Sequence, residues 1–313
     1  GSIQMARIDD AVGRILGVKY DLDLFDDPYG KVEYASYVGL KEHRQVARDA
    51  VRKSMVLLKN NSKVLPVAKD ETIYVVGSGA NNLGMQNGGW TVEWQGKMRP
   101  DFVILDENSD GQVRLAELTR FYQSIYDSKY NAGGAEGNFK SIDKDSNGTL
   151  TLDEFNQFKV SAPFQPAGTS VLDAIKEAIG NTGSVIYAPR AKNLGSNSLV
   201  LAVVGEYPYA EGYGDNPDIG LNSFDTAVLE RCYQSDNKIV VIIFSGRPLI
   251  IKDHIDKWDA LVAAWLPGMA GEGIADVLFG DYAPTGKLSF SWPKDILQLP
   301  LNFGESNYDP LFP

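Results

Sequence analysis

The sequence predicts an α/β protein, a mostly parallel sheet sandwiched by helices, with an all-α pair inserted into it. Three observations carry that expectation. Apolar, β-branched runs recur along the chain, helical patterns separate them, and residues 98–166 break the alternation with acidic loops that turn at glycine.

In chain order, Gly1-Ser2 reads as a cloning scar, after which the chain opens inside an amphipathic helix with Ile8, Ala11, Val12 and Ile15 on one face. Nothing precedes that helix to pack against it, which is expected of a fragment of something longer. A second helix is expected over 43–59. Strands follow at 72–76, 184–187, 199–204, 239–244 and 260–265, with crossover helices at 170–179, 223–234 and 271–279. The expected organisation is a leading segment (1–70), a sandwich domain (71–97 and 167–313) and an inserted subdomain (98–166). GSGANNLG after the first strand resembles a dinucleotide loop only superficially, because the third glycine is misplaced and no acidic residue follows at the proper distance.

Within the insertion, DENSDGQVRLAE (106–117) and DKDSNGTLTLDE (143–154) place an oxygen ligand at each position a twelve-residue calcium loop requires. Loop one offers Asp106, Asn108, Asp110, the Gln112 carbonyl and Glu117. Loop two offers Asp143, Asp145, Asn147, Thr149 and Glu154. Calcium takes six to eight hard oxygens, and a short chain wraps it only by turning sharply at the sixth position, here Gly111 and Gly148. Val113 and Leu150, at the eighth positions, are expected to pair as a short ladder. The pattern resembles an EF-hand pair and implies two bound Ca2+ ions. Leu118, Phe121, Tyr122, Ile125 and Tyr126 make a good helix after loop one, whereas Pro100 limits the helix entering that loop to about a turn and a half. Dockerin modules also lack an entering helix, so a non-catalytic, calcium-dependent module that binds a partner protein or glycan is the alternative reading, although dockerin loops usually end in aspartate and both loops here end in glutamate.

Composition excludes several classes. A formal charge of −11 over 313 residues argues against nucleic acid and anionic membrane as partners. One cysteine, Cys232, cannot form an intramolecular disulfide, and His43 and His254 alone offer little to a zinc site. No apolar run reaches the length of a membrane span, and no signal segment is recognisable at the N-terminus.

Outside the insertion, ARIDDAVGRILGVKYDL, HRQVARDAVRKSMVLLKNN, GMQNGGWTVEWQG, VVGEYPYAEGYGD, FSGRPLII, LVAAWLPGMAGEGIADVLFGDYAPTGKLSFSW and NYDPLF resemble family 3 glycoside hydrolases of the β-glucosidase and exo-β-glucanase type. The resemblance implies a β-glucan or cello-oligosaccharide substrate, a secreted or periplasmic location, and a (β/α)8 barrel ahead of the sandwich that carries the nucleophilic aspartate in a serine-aspartate-tryptophan motif. That tripeptide does not occur here, so the polypeptide alone is expected to be inactive, and its end at Pro313 falls short of the family's usual tail. The proton donor implied by GEYPYAEGYGD is Glu211, with Glu206 as the alternative that more readily fits a loop-holding role. Trp94 matches the residue that clamps a glucosyl ring. Trp90 fits either that clamp or a cover for the sheet edge. Asp215, Arg247 and Trp265 fall in motifs that look like scaffolding.

Overall fold

The computed structural model describes residues 3–127, 130–161, 168–306 and 308–313. Gly1-Ser2, the expected end of the insertion and Asn307 of NYDPLF lie outside them. Two compact units follow one another, 1–45 and 46–313. In the first, α1 (Met5–Asp21) buries no residue, and Ile8, Val12 and Ile15 of its apolar face are exposed.

α2 (Lys41–Ser54) runs into the second unit. The helix expected over 43–59 is too long: it stops at Ser54, and β1 (Val56–Lys59) pairs antiparallel with the strand Ala260–Trp265 at one edge of the sheet. The backbone of Val56–Lys59 gains ladder hydrogen bonds there, its β-branched and leucine side chains suit a strand, and the junction residue Met55 is completely buried. Asp276 fixes α2, taking the Arg48 guanidinium as a fork and Arg52 beside it.

The remaining strands are β2 (Thr72–Val76), then β3 and β4 in the insertion, β5 (Ser184–Tyr187), β6 (Leu199–Gly205), β7 (Lys238–Phe244) and β8 (Ala260–Trp265). The main sheet has six strands in the order β1-β8-β7-β6-β2-β5, parallel except at β1. Every residue of β6 is buried, as is all of β7 beyond Lys238. Burial on both faces explains why these strands read as continuous apolar runs rather than alternating ones.

A one-turn helix, α3 (Leu83–Asn87), follows β2. The insertion then holds α4 (Phe102–Leu105), β3 (Gln112–Arg114), α5 (Leu115–Tyr126), α6 (Ala132–Ile142), β4 (Thr149–Thr151) and α7 (Leu152–Ser161). α4 is a single turn, as Pro100 requires. Beyond it come α8 (Val171–Ile179), α9 (Ser223–Cys232), α10 (Lys252–Ile255) and α11 (Glu272–Leu278). Ser170 and Asn222 cap α8 and α9 through their side chains. The insertion docks on α9: Phe121 meets Phe224 edge to face at 5.3 Å, and the Ser223 hydroxyl donates to Asp127 at 2.7 Å. Its apolar residues, Leu118 and Ile125 among them, thereby join the core of the sandwich. Among the described residues no helix is long and apolar enough to cross a membrane.

Candidate functional site

The strand order locates a site before any side chain is considered. β2 lies between β5 and β6, and the chain leaves it first towards β5 and later returns to build β6, β7 and β8 on the other side. Ligands of such sheets gather at the carboxyl ends of the strands where the order reverses. Here those ends carry two loops, one with Trp90 and Trp94 after β2, the other with Glu206 and Glu211 after β6.

The loops touch through backbone. A Cβ on Gly89 would come within 1.9 Å of the Tyr209 carbonyl oxygen, so only glycine permits the approach. The Trp90 N–H donates to the Trp94 carbonyl at 2.6 Å, and the Ala210 N–H donates to Gln95 Oε1 at 2.8 Å. Gln95 thus ties the tryptophan loop to the residue immediately before Glu211. Glu93, to which the sequence motifs assign no role, takes Arg99 as an ion-pair partner and has Lys97 Nζ at 3.9 Å.

The two candidate glutamates are built differently. Glu206 accepts the Arg247 fork on Oε1 (2.9 and 2.7 Å) and the hydroxyls of Tyr209 (3.0 Å) and Ser245 (2.6 Å) on Oε2. Those four bonds use the acceptor sites of a carboxylate and leave none for a substrate. Burial lowers the Arg247 guanidinium, but the partnership with Glu206 outweighs it and holds Arg247 above its ordinary value. Burial, then the Glu206 charge, pushes the Tyr209 phenol well up. Glu211 opens a 3-10 turn, Glu211–Gly214, with φ +50°, and is exposed. Among the described residues its carboxylate takes no hydrogen bond. A non-glycine residue in the left-handed region costs about 1–2 kcal/mol, and such strain tends to collect at functional sites. Trp90 shares it, with φ +57°. Trp90 and Trp94 are 68% and 49% exposed, so both present surface to solvent. Arg247 and Trp265 do structural work: the first holds Glu206, the second packs its ring against Phe290 and Trp292.

Sequence reasoning misses Asp225. Completely buried on α9, it accepts the N–H and hydroxyl of Ser78 (2.9 and 2.7 Å), the Gly205 N–H (3.1 Å) and the Asn222 amide (2.9 Å). It therefore fastens the end of β2 to the end of β6, just where the two site loops begin. Desolvation raises its pKa despite those bonds. Its signal in the sequence is a single acidic residue in a helix's first turn, indistinguishable there from ordinary capping.

The calcium-type loops lie in the insertion. Gly111 and Gly148 turn with φ +82° and +83°. Val113 pairs with Leu150 across β3 and β4, and both side chains are fully buried. Asp106 accepts the Asp110 and Gly111 N–H groups, and Asp143 accepts those of Asn147 and Gly148, the same turn formed twice. In loop two, oxygens of Asp143, Asp145 and Glu154 all lie within 4.8 Å of one another. Such a hard-oxygen set fits Ca2+. In loop one Arg114 Nη1 stands 2.6 Å from Asp110 and 3.7 Å from Glu117, between two of the expected ligands. Its guanidinium holds the Asp110 carboxyl below the usual range, whereas the corresponding residue of loop two, Thr151, donates its hydroxyl to Glu154 at 2.9 Å.

Comparison with known proteins agrees with the fold and names a family. Residues 55–313 match the glycosyl hydrolase family 3 C-terminal domain. A periplasmic β-glucosidase of Salmonella typhimurium is 29% identical over 98% of this chain and 37% of its own length, and a β-xylosidase of Formosa agariphila is 27% identical over 96% and 35%. Among solved structures, an exo-1,3/1,4-β-glucanase from a Pseudoalteromonas species superposes with a TM-score of 0.70 at 32% identity, covering 99% of this chain and 33% of that one. The chain thus spans about a third of the relatives it matches.

Proposed function

From the premise that the chain belongs to the glycosyl hydrolase family 3 C-terminal domain family, we propose that it is the acid/base-bearing domain of a retaining, exo-acting β-glucosidase or β-glucanase. One observation carries the assignment to Glu211: of the two glutamates after β6 it alone has a carboxylate open to solvent. In retaining hydrolysis a carboxylic acid protonates the leaving glycosidic oxygen while a second carboxylate, about 5–5.5 Å away, attacks the anomeric carbon. Glu211 would give that proton and later take one from the incoming water. Trp94 would stack on the glucosyl ring, with Gln95 fixing the spacing between the stack and the acid. The nucleophile belongs, in this reading, to a partner barrel, and the protein works in a periplasmic or extracellular setting.

In the barrel-bearing enzyme, Glu211→Gln is expected to depress turnover far more for substrates with poor leaving groups than for activated aryl glycosides, which depart without a proton. Equal losses for both would remove Glu211 from the role. A larger selective loss in Glu206→Gln would move the assignment there. The polypeptide by itself should bind without turnover, and steady hydrolysis abolished by Glu211→Gln would refute that expectation.

The second part of the reading is that the insertion binds two Ca2+ ions as an EF-hand-like pair, held by Asp106, Asn108, Asp110, the Gln112 carbonyl and Glu117 in one loop and by Asp143, Asp145, Asn147, Thr149 and Glu154 in the other. The paired ladder and the duplicated turns support it. Bound calcium would neutralise carboxylates that otherwise repel one another, and affinity on the order of 10^-4 M suits calcium-rich surroundings. Calorimetry should register two ions per chain at millimolar Ca2+, and no uptake at that concentration would sink the calcium reading.

A further inference from the structure

A cavity of about 350 Å3 opens where the insertion meets the sandwich. It falls in the size range of small-molecule sites, which run to about 300–1,000 Å3. Its walls come from three places: α5 and the residues after it (Tyr122, Tyr126, Tyr130), α6 (Gly134, Asn138), and the loops after β2 and β6 (Gln95, Tyr207, Tyr209, Tyr213). Six tyrosines in one wall set is an unusual concentration. Tyr126 stands 4.9 Å from Tyr207, ring centre to ring centre, and Tyr207 6.2 Å from Tyr209, so the rings of the insertion continue into those of the β6 loop.

We propose that this cavity is a carbohydrate subsite that takes a neutral glycosyl unit of the oligosaccharide, with the inserted helices as its outer wall. The inference rests on the glycoside-hydrolase reading for the sugar's identity. Two features of the cavity choose that class of ligand. Among the described residues Lys97 is the single charged residue of the lining, and it faces Glu93, so those walls favour a neutral occupant over an anion or a cation. Tyrosine rings offer flat apolar faces with hydroxyls at the rim, which suits a sugar ring carrying C–H faces and hydroxyl edges. Gln95, whose oxygen takes the Ala210 N–H, ties this lining to the residue before Glu211.

Position supports the same class. Tyr209 and Tyr213 both line the cavity and bracket Glu211 in sequence. α5 follows loop one directly and α6 leads into loop two, so the wall supplied by the insertion is built on the same scaffold as the calcium-type loops.

The test uses this polypeptide, 15N-labelled, titrated with laminaritriose and with cellotriose. Amide shifts are expected at Gly96, Tyr130, Gly134 and Asn138. Gly134→Trp should weaken the binding at least tenfold by filling the space, since a Cβ there meets no atom within 4 Å and the change removes no native contact. Tyr130→Ala should weaken it as well, and the unperturbed amides of β6 and β7 will report that both variants are folded. Shifts confined to Trp90–Gln95, an affinity unchanged by Gly134→Trp, or no shift at the highest soluble trisaccharide concentration would each overturn the subsite. Those outcomes leave the acid assignment intact, because it is judged by the leaving-group dependence of Glu211→Gln in the barrel-bearing enzyme.

Discussion

The sandwich and its insertion share one apolar core yet are specified in opposite ways. β6 and β7 are held by side chains buried on both faces, and nothing in that packing needs a ligand. The insertion has a modest apolar interior, and its two connecting loops are made almost wholly of carboxylates, amides and backbone N–H groups turned inward. In the calcium reading proposed above, a bound cation would offset the repulsion among these acidic groups. The lesson is that stability of the sheet and order of the insertion should respond to different perturbations, and each can be pushed separately.

The largest separation is expected from the closing glutamates. Glu154→Gln removes the carboxylate proposed to close loop two bidentately and should weaken calcium there by more than the roughly 10–100-fold that follows loss of an outer-shell partner. The thermal transition of the sandwich should barely move. In hydrogen exchange, EGTA should strip protection from the insertion and spare β6 and β7. Calcium uptake unchanged in Glu117→Gln with Glu154→Gln, or chelation that unfolds the whole domain, would erase the distinction.

Asp225→Ala is the converse experiment. It strands buried donors from Ser78, Gly205 and Asn222, at about 1–3 kcal/mol for each group left unpaired. A fall in urea-unfolding stability of about 3 kcal/mol or more is expected with calcium stoichiometry unchanged. A loss under about 1 kcal/mol would mean that the β2 and β6 ends are held by something other than this carboxyl.

The two regions are legible in the sequence with unequal clarity. Five strands of the main sheet emerge within a residue or so, and β6, β7 and β8 do so because a strand buried on both faces is a continuous apolar run that hardly resembles anything else at that length. β1 merges with the preceding helix because four residues carry no period, and its partner, β8, lies about two hundred residues away. The calcium-type loops are legible as spacing. The character of their neighbours is not: that Arg114 stands between Asp110 and Glu117 depends on a side-chain rotamer, which spacing does not encode. In the candidate active site, motif resemblance points to both glutamates, but the Arg247 fork, the Gln95 tie and the Asp225 fastening join residues 41, 115 and 147 positions apart.

Within the insertion the two loops can be compared directly. Arg114→Thr gives loop one the residue that loop two has at the same position, and removes a cation that competes for Asp110 and Glu117. An exposed ion pair is worth about 0.2–1 kcal/mol, so the expected gain in loop-one affinity is a few-fold and no more. Calorimetry that resolves the two sites would detect it. If affinity falls instead, Arg114 supports the loop through its capping of α5 rather than competing with the ion.

The smallest effect concerns mild acid. His254 stacks on Trp258 with rings 4° from parallel and shares a hydrogen bond with Tyr233 Oη at 3.2 Å. Burial, followed by the nearby Lys257 charge, lowers its pKa from 6.5, against weaker opposing pulls from Asp253 and Glu230. The unfolded chain therefore binds a proton before the folded one does. Its contribution to stability is complete above pH 6.5 and is lost as pH falls through the lowered folded value. Asp110 and Glu154 are held below their ordinary values of 3.8 and 4.5, so they stay ionised in that window and calcium uptake should hold steady. A shallow decline in the melting temperature of the sandwich between about pH 7 and 5 is the expected result, and His254→Phe should flatten it. If the decline persists in His254→Phe while calcium uptake falls with it, the groups that titrate lie in the insertion, and the two regions are less independent in mild acid than their packing implies.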